Sequence, residues 1–259
     1  MKKRLAWVLA VVCLFGLLAG CKKQDASSDL AYVQKKGTLI VGITDYAPMD
    51  YQDENGNWIG FDAEFAEAVA QKLGVECQFI EIDWDNKFFE LNSKSIDCIW
   101  NGMTITQEVQ LNTSVSNPYV KNAQVVVMPA STAQNYTDAQ SIQSLRFAAE
   151  AGSAGAAALK DLGIENLTEV QSQSAALMEV AAGTADACVI DITMANAMTG
   201  AGTGYPDLTI ALELSSEEYG IGFRKDSDLT AKVNEIMAQL MLDGTLDALA
   251  ETYQLTLVK

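Results

Sequence analysis

Histidine is absent from this 259-residue chain, and cations are scarce: 17 Lys and Arg stand against 34 Asp and Glu, a formal charge of −17. Without histidine, a Ser-His-Asp or Cys-His catalytic site and a histidine-built zinc or haem site are excluded. The cation deficit argues against nucleic acid as a partner, because neutralising phosphates needs clustered Lys and Arg. The GxGxxG, Walker A, HExxH, GxSxG and EF-hand patterns are also missing, which removes the usual support for nucleotide binding, phosphoryl transfer and common hydrolases. No cofactor and no metal are expected. Apolar residues at 49% and charged residues at 20% fit a globular chain rather than disorder or a multi-span membrane protein. The length suits one large or two ordinary domains.

What is present begins with a basic Met1-Lys2-Lys3-Arg4 followed by the apolar stretch LAWVLAVVCLFGLLA over residues 5 to 19. That is the layout of a signal peptide. The competing reading, a transmembrane anchor, needs about 20 apolar residues. The stretch ends in Leu18-Ala19-Gly20-Cys21, which resembles a bacterial lipobox, so residues 1–20 read as a lipoprotein signal peptide and Cys21 as the lipidated N-terminus of the mature chain. Residues 21–36 are polar, without clear apolar periodicity, and read as a tether to the membrane, with the folded part starting near Gly37. Removing residues 1–20 takes away Lys2, Lys3 and Arg4 but no acid, leaving a charge of −20. Cys77, Cys98 and Cys188 each sit in apolar runs and read as buried small hydrophobes rather than a disulfide framework or metal site.

From Gly37 onward strands and helices alternate, which predicts an α/β fold. Leu39–Ile43 is a short apolar run of the kind buried in parallel sheets. Phe65, Ala66, Val69 and Leu73 share one helical face, Asp62 is placed to cap that helix, and Gly74 stops it. Further strands are expected at 75–82, 96–100, 124–128, 147–149, 187–190, 208–212 and 219–224. Helices are expected near 85–93, 106–113, 154–162, 173–182, 192–199, 228–242 and 245–252. In such sheets ligands bind beyond the carboxyl ends of strands, so the residues that follow each apolar run are the candidates: Asp45 and Tyr46, Trp84 and Asp85, Asn101 and Thr104, Glu150 with Gly152-Ser153, and Asp191. Gly152-Ser153 at a helix start is a weak anion-cradle signal. Asp45, Asp85 and Asp191 read equally as helix caps or turn residues, Tyr46 and Trp84 as packing residues, and Trp100 as core. No cation stands at these strand ends, and the site reads as a binder.

A family likeness rests on several blocks: Gly37-Thr38-Leu39, Tyr46-Ala47-Pro48-Met49-Asp50-Tyr51, Gly60-Phe61-Asp62, Ile96-Asp97-Cys98, Gly102-Met103-Thr104-Ile105-Thr106, Ser116-Asn117-Pro118-Tyr119, Gly183-Thr184-Ala185-Asp186-Ala187 and Tyr219-Gly220-Ile221-Gly222-Phe223. In order along 37–259, they resemble the polar amino-acid-binding branch of the extracytoplasmic solute-binding proteins that serve ABC importers. The resemblance implies a two-lobed clamshell, each lobe a mainly parallel sheet flanked by helices. Lobe 1 would comprise 37–119 and 220–259, and lobe 2 residues 120–219, joined by two crossing strands near 120–123 and 216–219. Ligand would sit in the interlobe cleft and close it by a hinge. It further implies Tyr46 and Trp84 as aromatic walls, Gly102 and Thr104 as partners of an amino acid's backbone polar atoms, Ser153 as a hydroxyl donor near the carboxylate, and Asp191 as the acid that takes the α-ammonium.

Two departures from the family pattern bear on the ligand. The family's carboxylate-binding Arg closes a Thr-x-Glu-Arg run, and this chain reads Thr106-Gln107-Glu108-Val109; valine cannot form the bidentate pair. Glu150 stands where glutamine-binding members carry a cation. A cleft holding Asp45, Glu150 and Asp191 without that Arg favours a ligand with positive charge or without a free carboxylate, an amino acid or a small amine, which could also rest over Trp84 or Tyr46. The alternative is that Arg146, Arg224 or a lysine reaches in from elsewhere. With the lipobox at Cys21, the resemblance implies a non-enzymatic binding lipoprotein at the extracytoplasmic face of the membrane, partnered by a permease; no interface pattern stands out, so a monomer is the default. Two other functions stay open: a cleft enzyme of dehydratase type with Glu150 as acid or base, and a sensor that presents ligand to a receptor.

Overall fold

The computed structural model describes residues 28–259, so the expected signal peptide and the lipidation site Cys21 lie outside the described residues. None of the described helices is long and apolar enough to cross a membrane. The strands are, in chain order, β1 (Thr38–Ile43), β2 (Tyr51–Gln52), β3 (Trp58–Ile59), β4 (Glu76–Glu81), β5 (Cys98–Ile99), β6 (Ser114–Val115), β7 (Val120–Pro129), β8 (Phe147–Glu150), β9 (Leu167–Val170), β10 (Ala187–Asp191), β11 (Leu208–Tyr219) and β12 (Gly222–Phe223). They form two five-stranded sheets, β4-β1-β5-β12-β6 and β11-β7-β10-β8-β9, with β2 and β3 as a separate hairpin. Each sheet is mixed: β1 runs parallel to β4 and β5 while β12 opposes β5, and β8 runs parallel to β9 and β10 while β7 opposes both β10 and β11. The first sheet draws only on residues 38–115 and 222–223 and the second only on 120–219.

The apolar runs become central strands because both of their faces are covered. Every residue of β10 is buried, with Cys188 and Ile190 in one apolar cluster and Ala187 and Val189 in another. Helices Gln173–Ala181 and Ala154–Asp161 supply the two covers. The chain passes between the lobes at Val120 and again at Tyr219, which pair with each other in the antiparallel β7–β11 ladder. The strand expected at 208–212 extends to Tyr219 as one 12-residue strand, and the strand expected at 219–224 is realised only as the short β12, Gly222–Phe223. The polar second half of β11 hid its continuity, because one side of the β7–β11 ladder faces the cleft rather than a core. The chain end runs alongside the crossing, with Lys121 N donating to Thr256 O at 2.8 Å and Val258 N to Tyr119 O at 2.9 Å.

Two local expectations are corrected. Asp62 does not cap its helix: the N-cap is Gly60, and the Asp62 carboxylate instead accepts from Gly102 N at 2.6 Å and Tyr119 OH at 2.8 Å. Burial pushes that carboxyl up to about 7. Residues 29–36, assigned to the tether, form a helix capped by Ser28 and closed by Gly37 in the left-handed region at φ +77°. Apolar periodicity was a poor guide there because Val33 is the only buried apolar residue, with the half-buried Leu30 beside it. The other anchor is ionic: Arg224 Nε lies 3.0 Å from both Asp29 carboxylate oxygens, and its NH groups reach Ile96 O at 2.8 Å and Asp97 Oδ1 at 3.3 Å.

Trp100 is core as expected, fully buried and edge-on to Phe65 with ring centroids 4.7 Å apart. Cys98 and Cys188 are buried and Cys77 half-buried, all three free; burial pushes the Cys77 thiol up to about 12.

The buried network around Arg224 yields a stability prediction. Arg224→Met strands the Asp29 carboxylate and leaves Asp97 with Lys36 and Ile40 N alone, and urea denaturation should show a loss of about 3–5 kcal/mol. A loss under about 1 kcal/mol would mean that the N-terminal helix contributes little to the fold.

Candidate functional site

The two lobes close over a cavity of about 360 Å³, at the small end of the roughly 300–1,000 Å³ typical of ligand pockets. Of the residues singled out in the sequence, Trp84, Asn101, Gly102, Thr104, Glu150, Ser153 and Asp191 line it. Asp45 and Tyr46 do not. Asp45 is exposed, and its main-chain carbonyl accepts from Ser174 Oγ of the other lobe at 3.4 Å. Tyr46 is buried, with its hydroxyl bonded to Thr193 Oγ1 at 2.5 Å and to Tyr219 OH, so it joins lobe 1 to lobe 2 instead of walling the cavity. Its ring explains Gly102: at φ +56°, a Cβ there would fall 2.5 Å from Tyr46 Cε1, closer than any side chain tolerates.

Several lining groups are already engaged. Asn101 exchanges hydrogen bonds with Thr44, accepting its N–H at 2.9 Å and donating to its hydroxyl at 2.7 Å. Ser153 caps the helix Ala154–Asp161 by accepting from Ala156 N at 3.1 Å. Thr104 Oγ1 donates to Glu217 Oε2 at 2.9 Å. Asp191 occupies the N-cap position of helix Ile192–Met198, but its side chain makes no cap bond. It accepts instead from Gln124 Nε2 at 2.7 Å and from the amides of Asn122 and Gln173. Gln124 Nε2 also reaches Glu217 Oε2 at 3.0 Å, and Ser215 Oγ reaches Glu217 Oε1 at 2.9 Å.

Glu150 is different. It is 3% exposed, and its Oε1 has no hydrogen-bond partner among the described residues. Burial, reinforced by Asp191 and only partly opposed by Lys87, pushes its carboxyl up to about 8. Burial and the neighbouring Glu217 push Asp191 up to about 6, against the three amide donors that hold it down. Both shifts are desolvation effects, disfavouring the ionised form of a carboxyl taken out of water.

Sequence reasoning missed the hinge residues Asn122, Gln124, Ser215 and Glu217, along with Gln173 and Lys87. Polar side chains at 122 and 124, alternating inside an apolar strand, were the available signal. Among the described residues no arginine reaches the cavity: Arg146 pairs with Asp186 at 2.7 Å on the surface, and Arg224 is held by Asp29 and Asp97. Val109 does line it and is buried. A lysine does reach in, so among the lining residues Glu108, Glu150, Asp161, Asp191 and Glu217 face a single cation, Lys87.

Two α/β lobes crossing twice and closing on a polar cavity define the class of two-lobed solute-binding proteins. The model of the bacterial extracellular solute-binding proteins, family 3, matches residues 39–256, and the chain belongs to that family. It is 27% identical over 258 residues to the L-cystine-binding protein TcyJ of Escherichia coli K12, covering 97% of this chain and 95% of the other. Among solved structures it resembles the P235GK mutant of ArgBP from T. maritima, with 32% identity, 87% and 98% coverage and a TM-score of 0.81. It also resembles the ancestral amino acid-binding protein AncCDT-1, a precursor of cyclohexadienyl dehydratase, with 29% identity, 87% and 99% coverage and a TM-score of 0.79.

A raised Glu150 pKa has a stability consequence. The folded state holds a proton that the unfolded chain releases near the ordinary carboxyl value, so stability is lost as pH rises from about 4.5 to about 8 and levels off above. Denaturation of the ligand-free protein across that window should show a fall that Glu150→Gln reduces by up to about 1.4 kcal/mol per pH unit. Identical pH profiles for both proteins would place Glu150 ionised throughout.

Proposed function

We propose that this chain is a lipid-anchored binding protein, held at the extracytoplasmic face of the membrane through Cys21, that captures one cationic amino acid or small amine and delivers it to the permease of an ABC importer. The observation that carries the ligand charge is Glu150, a buried carboxyl facing the cavity with an unpartnered oxygen and no arginine near it. A ligand cation supplies the missing partner, and the excess of acids over Lys87 in the cavity wall disfavours neutral and anionic ligands. A volume of about 360 Å³ leaves room for one molecule of amino-acid size. A structure of ArgBP from T. maritima is described as arginine-bound, which supports the cationic reading; TcyJ, named for cystine, marks the neutral alternative. An enzymatic role on the same scaffold is less well supported, because the same acids repel the anionic substrates that a dehydratase would take. AncCDT-1 is itself described as an amino acid-binding protein.

A thermal-shift screen of amino acids and amines tests this. Arginine, lysine or putrescine should raise the melting temperature, since a ligand at a hundredfold excess over its Kd adds about 2.7 kcal/mol to the folded state. A rise with cystine, glutamine or leucine and none with any cation would overturn the charge assignment.

A further inference from the structure

Lys87 opens the helix Lys87–Asn92, directly after the single turn Trp84–Asn86 that brings Trp84 to the cavity. It is buried. Its Nζ donates to Trp84 O at 3.1 Å and to Gly152 O at 2.9 Å, and lies 5.0 Å from the Trp84 ring centroid and 4.9 Å from that of Phe88. The first carbonyl belongs to lobe 1 and the second to lobe 2, so the ammonium sits in the seam of the closed cleft. The seam is tight: a Cβ on Gly152, at φ +68°, would fall 2.7 Å from Asp85 Oδ1.

An ammonium carries three N–H donors, and the two carbonyls leave one without a protein partner among the described residues. Both partners it has are neutral. Burial draws the Lys87 pKa down, with Glu108 and Glu150 working in the other direction. A buried cation bonded only to neutral carbonyls gains most from a direct anion. The ligand itself can bring one. A basic amino acid carries a carboxylate that Glu150, Asp191 and Glu217 would repel, and Val109 offers it nothing. Lys87 is the one cation among the lining residues that can compensate its charge.

We propose that Lys87 is the specificity-determining residue that holds the ligand's carboxylate, so that the cleft takes an intact basic amino acid in preference to the corresponding amide or amine. This rests on the cationic reading of the cleft and narrows it. Calorimetry on the wild type, Lys87→Met and Lys87→Arg, each with arginine, arginine carboxamide and putrescine, is the test. The wild type should bind arginine at least about tenfold more tightly than its carboxamide. Lys87→Met should abolish that ratio by weakening arginine alone, and Lys87→Arg should restore much of it.

Equal or tighter binding of the carboxamide by the wild type would overturn the assignment while leaving the cationic reading standing. Equal weakening of arginine and carboxamide in Lys87→Met would also overturn it, because Lys87 would then only brace Trp84 and the Gly152 loop. If only neutral amino acids bind, the cationic reading fails and this assignment falls with it.

Discussion

Ionising Glu150 at the end of β8 would place a charge out of water beside Asp191, at a cost of several kcal/mol, and no protein donor offsets that at its Oε1. The cleft is organised around this unpaired group. With the lobes closed and no ligand, the carboxyl stays protonated and neutral; with a cation beside it, ionisation becomes favourable. With the proposed cationic ligand, charge and lobe closure would be coupled through this one side chain, since closure excludes the water that would otherwise solvate the anion.

The neighbouring acids are treated differently, and sheet order explains how. The strands β11, β7, β10 and β8 lie side by side, about 4.8 Å apart, and contribute Glu217, Gln124, Asp191 and Glu150 in that sequence. The amide on β7 falls between the first two acids, and Asp191 pairs in register with Gln124. Asn122 bonds to both Asp191 and Glu217. Those two carboxylates are therefore screened from one another by amide donors. Glu150, on the far side of β10, has no such amide. The hinge strands consequently do more than connect the lobes: they supply the groups that keep two acids tolerable at the base of the cleft.

Strand-end logic made Glu150 and Asp191 legible in the sequence, because each closes an apolar run that had to be a buried strand. Trp84 and Thr104 followed from the same reasoning. Tyr46 did not, because the chain beyond β1 turns its phenol beneath Gly102 toward Thr193, a contact between lobes that no local pattern encodes. Glu217 was hidden in the polar second half of β11, a strand whose cleft-facing residues break the apolar run. Lys87 is displaced from its strand end by one helical turn. The N-terminal helix was illegible because it is held by Arg224, nearly two hundred residues away, and by Val33 with the half-buried Leu30 instead of a full apolar stripe.

The protonation state of Glu150 is the quantity on which this account turns, and difference infrared spectroscopy of the carboxyl stretch reads it directly. Near neutral pH, the ligand-free protein should show a protonated-carboxyl band that is absent from Glu150→Gln and that disappears when a cationic ligand saturates the cleft. A ligand-free spectrum unchanged by Glu150→Gln in that band would show the group already ionised and would contradict the account.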